Sequence, residues 1–360
     1  MKKTSGKRIL IVAPYPPPYG GTTIPTRILE EWLLGRNYCV DRVNTTSGDK
    51  RGIPLIHPRA YFPFIKMFVS FAWKVPRADM VIVQGTARFS ATAGALFVRI
   101  ATLLGKKNFM YVHGGDFDAY LDSLPKLLRL ATVWWMSRIQ IVVQTEWLRC
   151  KLSSLFTRVA AIPNWTQLPT NTQVRKIVKG KCRFVFVGQI RQEKGIVDLL
   201  CAFKQVLSQM PGATLDLIGQ VRPFFRDEFV RVLSDAGEGV SVHGGDYEHA
   251  EAMRKMERGD VMVFPTRFPG EGYPGAVIEA FPRGIPVIAT AWRAVPEIVN
   301  DGVNGLLVDP DNVARELPQA MLRLAEDPQL YERLSAGALE SARRFDINVV
   351  GRRMLEQLKV

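Results

Sequence analysis

The 360-residue sequence has few cysteines, no long apolar run and little acidic charge in its first half. Its four cysteines, Cys39, Cys150, Cys182 and Cys201, lie in no metal-binding or redox spacing. We therefore expect reduced thiols in a cytoplasmic protein. No stretch approaches the roughly 20 apolar residues of a membrane span. The apolar run at residues 9–12 soon ends at a proline-rich stretch, which favours a first β-strand over a signal peptide.

Acidic residues are scarce only in the first half of the chain. Residues 1–167 contain 23 Lys and Arg against 9 Asp and Glu, whereas residues 168–360 contain 25 of each, so the formal net charge of +14 belongs to the first half. Such asymmetry suggests an anionic partner, either membrane or nucleic acid. Two segments, Phe62–Lys74 and residues 126–135, mix basic residues with large apolar ones. That content suits a membrane interface better than a phosphate backbone, so we predict an anionic membrane surface and no nucleic acid. For Phe62–Lys74, a helix packed on the sheet is the alternative.

Strand-like apolar runs alternate with helix-like segments, and the alternation restarts after a polar stretch at residues 168–182. This pattern predicts an α/β fold with two domains, residues 1–167 and 168–345, followed by an amphipathic helix at 346–360. Residues 45–77 are the least regular part, and residues 123–136 are predicted to form one helix. Strands are predicted at residues 7–13, 79–85, 108–113, 138–144, 159–162, 183–187, 213–218, 240–243, 261–264, 285–289 and 305–308.

The strongest local pattern is PTRFPGEGYPGAVIEA at residues 265–280. It joins a predicted buried strand to the first turns of a helix, where free N–H groups and the helix dipole favour anions. Glu271 and Glu279 frame this loop with seven residues between them. Glu279 lies one helical turn after Gly275, and its carboxylate can accept two hydrogen bonds from a vicinal diol such as a ribose. For an isolated glutamate, a solvated surface role is the alternative.

These two glutamates, with a strand before and a helix after, resemble the paired-glutamate motif of the retaining group 1 glycosyltransferases. The spelling PGEGYPGAVIEAF is similar to a branch found in bacterial polysaccharide assembly. It has Pro274 where Gly is usual and Ala276 where Pro is usual. The resemblance implies the GT-B fold, with two Rossmann-like domains facing across a cleft. It also implies a nucleotide-sugar donor in the second domain, an acceptor in the first, and a last helix, 346–360, that crosses back to the first domain. Because of the basic, apolar segments of the first half, we expect a lipid-linked or oligosaccharide acceptor.

A second motif, GQIRQEKG at residues 188–195, again joins a predicted strand to a helix. The family places an Arg directly after the first Gly and a Lys directly before the last. Lys194 matches, but Gln189 stands at the Arg position, and we expect Arg191 to reach the diphosphate instead. No Asp-x-Asp pair lies nearby, so we expect no metal, and protein cations neutralise the leaving diphosphate. The nucleotide sugar is a co-substrate, and no cofactor is predicted.

The resemblance also implies roles for individual residues. His113 ends a predicted strand, and ligands of open α/β sheets lie beyond the carboxyl ends of strands. The implied catalytic residues are Glu271, His113, Lys194 and Arg191. The implied donor-binding residues are Gly21, Gly188, Arg191, Lys194, Glu271, Gly275, Ala276, Val277 and Glu279. The implied acceptor-binding residues are Gly20 and Asp116.

We therefore expect a metal-independent retaining transferase of cell-surface polysaccharide biosynthesis. It would move a hexose from a UDP- or GDP-linked donor at the cytoplasmic face of the cell membrane, as a peripheral protein. Two alternatives stay open, a GT-B-like nucleotide-sugar epimerase and a non-catalytic protein that binds membrane surfaces. A dehydrogenase is disfavoured because no G-x-G-x-x-G follows the first strand.

Overall fold

The computed structural model describes residues 6–46, 62–245 and 248–358. The chain divides into two compact units. The first consists of Met1–Asn164 together with Ile347–Val360, and the second of Trp165–Asp346. Within the described ranges, no helix is both long enough and apolar enough to cross a membrane.

The first unit contains a parallel six-stranded sheet in the order β2-β1-β3-β4-β5-β6. The central strands are apolar runs buried on both faces, as parallel sheets covered by helices require. The strands are β1 (Arg8–Ala13), β2 (Cys39–Asn44), β3 (Met80–Thr86), β4 (Lys107–His113), β5 (Ile141–Val143) and β6 (Val159–Ala161).

Eight helices of the first unit lie in the described ranges, and they include the last helix of the chain. A π-helical turn, Ser90–Gly94, joins the third and fourth of them. They are α1 (Thr23–Leu34), α2 (Phe62–Lys74), α3 (Ala87–Phe89), α4 (Ala95–Leu103), α5 (Phe117–Asp122), α6 (Lys126–Met136), α7 (Glu146–Leu152) and α14 (Ile347–Gln357).

Two elements of this unit differ from what the sequence predicts. The helix predicted at residues 123–136 begins only at Lys126, because Pro125 is extended with ψ 142° and cannot continue the preceding helix α5. Strand β2 was not predicted, since its sequence CVDRVN alternates only weakly and only Val43 is buried. It pairs with β1 at the edge of the sheet.

Helix α14 packs against α1 within the first unit. The indole Nε1 of Trp32 donates to Asn348 Oδ1 at 3.1 Å. A Cβ atom at Gly351 would lie 2.7 Å from the Trp32 ring, so the glycine lets the two helices approach closely.

Helices α2, α4 and α6 are neighbours. Phe97 of α4 packs against Phe68 and Phe71 of α2, with ring centroids 5.0 and 4.5 Å apart. On its other side α4 reaches α6, where Arg99 Nε donates to the carbonyl of Trp135 at 2.8 Å. All three helices contribute buried side chains to the same apolar cluster, and together they are called the α2–α4–α6 layer below.

The second unit repeats the architecture with the strand order β12-β11-β10-β7-β8-β9, again parallel. Its strands are β7 (Arg183–Val187), β8 (Thr214–Ile218), β9 (Val240–His243), β10 (Val261–Phe264), β11 (Val287–Thr290) and β12 (Gly305–Val308). Its helices are α8 (Ile196–Gln209), α9 (Arg226–Asp235), α10 (His249–Met256), α11 (Gly275–Ala280), α12 (Val313–Glu326) and α13 (Pro328–Ala342).

This strand order reverses direction between β7 and β10. From β7 the chain steps outward to β8 and β9, and it then returns to β10 and steps the other way. In open α/β sheets, ligands bind beyond the carboxyl ends of the strands at such a reversal. The two motifs at residues 188–195 and 265–280 follow β7 and β10, so the topology places both at this position.

Candidate functional site

The two motifs of the second unit are joined by an ion pair. Lys194 ends a short turn before α8, and its Nζ lies 2.5 Å from Glu271 Oε2. Thr266 Oγ1 donates to the same carboxylate oxygen at 2.8 Å. The Glu271 side chain is only 7% exposed and that of Lys194 15%, so both charges are largely shielded from water and depend on each other.

Backbone contacts hold the loops after β7, β8 and β10 together. Gly195 has φ +72°, and a Cβ atom there would lie 2.0 Å from the carbonyl oxygen of Pro265. At Gly219, which has φ +145°, an added Cβ atom would lie 1.9 Å from Gly188 O. Only glycine tolerates both the conformations and the contacts, so these residues fix where Lys194 stands.

Arg191 also belongs to this group, but it is paired. Its Nε and NH2 donate to the two carboxylate oxygens of Glu193 at 2.8 and 2.6 Å. The Arg191 hydrogen bonds lower the pKa of Glu193 to about 2. Its guanidinium lies 4.7 Å from the Phe268 ring centroid. Gln189 is exposed, and the phosphate-binding role of Arg191 stays a prediction.

Glu279 is buried in α11, behind the end of β10. Its Oε1 lies 3.3 Å from His249 Nε2 of α10. Burial raises the pKa of Glu279 to about 8, against the opposing charge of Arg283. The N–H groups of Gly275 and Ala276, in the first turn, have no intrahelical acceptor, as at any helix start. Val277 is buried in the core, so it can offer a ligand only its backbone.

In the first unit, His113 ends β4 inside a polar cluster. Gln144 Oε1 accepts from Gly114 N, so its amide nitrogen donates to His113 Nδ1, 3.3 Å away. His113 Nε2 therefore carries the proton and donates to Gln84 Oε1 at 3.0 Å. Burial lowers the pKa of His113 to about 3, which makes the ring neutral at pH 7. Its contact with the sugar stays a prediction.

The remaining predicted positions of the first unit follow strand ends. Gly20 and Gly21 lie between β1 and α1, and a Cβ atom at either would meet nothing within 4 Å. Their packing therefore does not demand glycine. Asp116 precedes α5 and accepts a hydrogen bond from Tyr120 N through its backbone carbonyl. Neither observation tests an acceptor role.

Sequence reasoning missed several neighbours of the predicted residues. Thr266 lies inside the quoted motif, and its hydroxyl could have been considered. Glu193 also lies inside a quoted motif, two residues from its partner Arg191. His249, Gln84 and Gln144 had no usable signal, because their partners are set by tertiary contacts. Within the described ranges, no group of three or more His, Cys, Asp and Glu side chains could hold a metal ion.

Residues 181–327, which span the loops after β7, β8 and β10 and the whole of α11, match the family Glycosyl transferases group 1. The match contains Lys194, Glu271 and Glu279. This segment of the second unit is similar to the group 1 glycosyltransferases. The paired-glutamate resemblance is thereby confirmed, and the name applies to the segment that holds the ion pair and the buried glutamate.

Two curated proteins are similar to longer parts of this chain. The chain is 27% identical over 278 residues to an exopolysaccharide phosphotransferase of Streptomyces coelicolor, which covers 76% of this chain but only 27% of that protein. It is 24% identical to an uncharacterized glycosyltransferase of Methanocaldococcus jannaschii, over 89% of this chain and 88% of that one.

Among solved structures, HepE of Anabaena, in complex with UDP, has the same fold as this chain. It superposes with a TM-score of 0.71 over 98% of this chain and 99% of that one, at 15% identity. The predicted GT-B fold is confirmed.

Proposed function

We propose that the protein is a retaining glycosyltransferase that moves a hexosyl unit from a nucleotide sugar to a saccharide acceptor in polysaccharide biosynthesis. The observation that carries this proposal is the buried Lys194–Glu271 pair at the strand reversal, in a segment that matches the group 1 family and also contains the buried Glu279. The name of the Streptomyces relative, an exopolysaccharide phosphotransferase, supports the polysaccharide context.

Each charged group has a task in this reaction. The bond from the anomeric carbon to the diphosphate oxygen breaks, and the acceptor oxygen bonds to the same face of the sugar. Lys194 and Arg191 stabilise the negative charge that develops on the diphosphate, so no metal is required. The leaving phosphate takes the acceptor proton, Glu271 holds sugar hydroxyls, and Glu279 accepts from the ribose diol.

The donor is a UDP- or GDP-linked hexose. HepE, which shares the fold, has been solved in complex with UDP-glucose, and this supports a nucleotide sugar as donor. The acceptor is assigned to the first unit, at Gly20 and Asp116, with His113 directed at the sugar.

We further propose that the acceptor is lipid-linked and that the first unit binds the anionic cytoplasmic surface of the membrane. Support comes from the layer of α2, α4 and α6. The layer, together with Leu104 directly after α4, carries ten of the nineteen large apolar side chains that are exposed in the described ranges. Trp73 is 68% exposed, Trp134 71% and Leu127 82%. The ten exposed apolar side chains of this surface are Phe64, Ile65, Val69, Trp73, Leu103, Leu104, Leu127, Leu128, Leu130 and Trp134.

Part of α2 also packs on the sheet, because Met67 and Phe71 are buried. This face packs on the sheet, as the alternative predicted, and we assign the exposed face of α2 to the membrane. Basic residues such as Lys66 and Arg77 are exposed on the same segment, and anionic lipid attracts such residues by about 1 kcal/mol each.

A panel of nucleotide sugars tests the proposed reaction. A true donor should raise the thermal midpoint, because a ligand at a hundredfold its Kd adds about 2.7 kcal/mol of stability. Transfer should release the nucleoside diphosphate and form a glycosidic bond whose anomeric configuration, read by NMR, matches that of the donor. Turnover should persist in EDTA.

The same assay separates the alternatives. An epimerase would return the nucleotide sugar with one inverted carbon and no new glycosidic bond. A non-catalytic membrane-binding protein would bind vesicles but neither transfer nor epimerise any nucleotide sugar. Either result would overturn the proposal.

A further inference from the structure

The loops after β7 and β8 are joined by their backbones beyond the ends of the two strands. Ile190 N donates to Gln220 O at 2.9 Å, and Arg222 N donates to Ile190 O at 3.0 Å. These bonds form a parallel bridge between Ile190 and Val221. Arg191 and Arg222 directly follow the bridge, both with extended backbone. They therefore stand side by side.

The two arginines differ in their partners. Arg191 is held by both oxygens of Glu193. Arg222 makes no ion pair to any residue in the described ranges, and its buried Nε has no hydrogen-bond partner there. A buried N–H without an acceptor is unfavourable, and a like charge beside it adds repulsion. A bound anion would relieve both.

Aromatic rings connect these arginines to Lys194. The Phe268 ring centroid lies 4.7 Å from the Arg191 guanidinium and 5.1 Å from Lys194 Nζ. The ring centroid of Phe224, two residues after Arg222, lies 5.6 Å from the guanidinium of Arg191. The three cations therefore lie along one edge, at the carboxyl ends of β7 and β8. A diphosphate would compete with a carboxylate at two of them, but not at Arg222.

We propose that Arg222 binds the diphosphate of the donor and supplies the cation that Gln189 does not. This inference rests on the proposed function and adds a phosphate-binding residue to it. Arg222 has the same charge as Arg191, lies directly beside it and has an unsatisfied guanidinium. These features indicate a phosphate ligand, because guanidinium groups match phosphate oxygens in charge and geometry.

Calorimetry with the full-length protein tests this assignment, with UDP, GDP and uridine as probes. Arg222→Gln should weaken binding of the nucleoside diphosphate by about 10- to 100-fold, the scale of one charge-assisted hydrogen bond. Uridine binding should not change. The matched control is Arg333→Gln, an exposed arginine on α13 with the same change in net charge. Arg222→Lys, which keeps the charge, should lose less affinity than Arg222→Gln.

The outcomes separate this inference from the reaction itself. If the wild-type protein binds UDP or GDP and both Arg222 variants bind within about a factor of two of it, only the role of Arg222 is overturned. The same holds if uridine weakens as much as UDP, or if Arg333→Gln loses as much affinity. If the wild-type protein binds neither nucleoside diphosphate, the proposed function fails together with the inference.

Discussion

Lys194 and Glu271 are 77 positions apart in sequence, yet they form a largely buried ion pair. Lys194→Ala would leave the Glu271 carboxylate buried without its cation, which typically costs about 3–5 kcal/mol. It would also remove a charge that stabilises the leaving diphosphate, so transfer should fall by about 10²- to 10³-fold. Urea unfolding and initial rates with saturating donor measure the two effects.

The matched control for this variant is Lys176→Ala. Lys176 pairs with Glu332 at 3.7 Å, but the two side chains are 78% and 50% exposed. An exposed pair contributes about 1 kcal/mol or less, so both stability and transfer should stay close to the wild type. Near wild-type turnover in Lys194→Ala would remove the phosphate-binding assignment.

Glu279 couples stability to pH. Burial raises its pKa from 4.5 to about 8, so the folded state holds a proton that the unfolded state has lost between these values. The free energy of unfolding should therefore fall as pH rises from about 4.5 to about 8, by about 3–5 kcal/mol in total. Glu279→Gln should flatten this slope and be the more stable protein at pH 8, measured by urea unfolding from pH 5 to 9.

The raised pKa of Glu279 also predicts that nucleotide binding releases a proton. A ribose diol donates to the carboxylate, so UDP binding at pH 7 should release up to about one proton, measured by calorimetry in buffers of different ionisation enthalpy. Glu279→Gln should abolish the release and weaken binding. Glu257→Gln is the control, because Glu257 is half-exposed and contacts Arg283. Equal pH slopes in wild type and Glu279→Gln would contradict the burial argument. The groups that face Glu279 are the cation Arg283 and the titratable His249.

At the scale of elements, the turn into α8 depends on Gly195. Alanine there would combine an unfavourable positive φ with a Cβ atom 2.0 Å from Pro265 O. The β7 and β10 loops would have to separate, and with them Lys194 and Glu271. We expect Gly195→Ala to destabilise the protein by more than about 1–2 kcal/mol and to lower transfer.

Two other glycines separate the causes of that loss. Gly180 has φ +78° but nothing within 4 Å of an added Cβ atom, so Gly180→Ala reports backbone strain alone. An added Cβ atom at Gly212 would make only an ordinary contact at 3.5 Å, and its φ is not positive. Gly212→Ala therefore reports neither backbone strain nor a close approach. If Gly195→Ala is no worse than Gly180→Ala by thermal unfolding and transfer rate, the close approach does not position the site.

At the scale of the whole molecule, the uneven charge and the exposed apolar layer predict membrane association. The full chain should sediment with anionic vesicles at low salt, less with neutral vesicles, and less at high salt, because screening shortens the reach of surface charge. Changing Trp73, Leu127 and Trp134 to alanine should reduce sedimentation without lowering transfer to a soluble acceptor analogue.

The control triple variant changes Val178, Val230 and Val303 to alanine. These side chains are also exposed but belong to the second unit, so vesicle binding should not change. If the wild type shows no preference for anionic vesicles at low salt, the membrane proposal is wrong. A soluble acceptor would then be favoured.

The sequence by itself determined the α/β class and the two places where chemistry is concentrated. Runs such as 184–187 and 261–264 are continuous and apolar, and each is followed by a loop that contains glycine and then by a helical pattern. That order predicts strand, loop and helix from local preferences alone. The Glu271 and Glu279 spacing is also local, which is why the group 1 resemblance was visible.

Only the tertiary structure decided which residues meet. Sheet order brings the end of β7 beside the ends of β10 and β8, and so pairs Lys194 with Glu271 and places Arg222 beside Arg191. The enclosure of His113 by two glutamines likewise depends on neighbouring strands. Local propensities carry no information about strand order, because it is fixed by how whole helices and strands bury their apolar faces together.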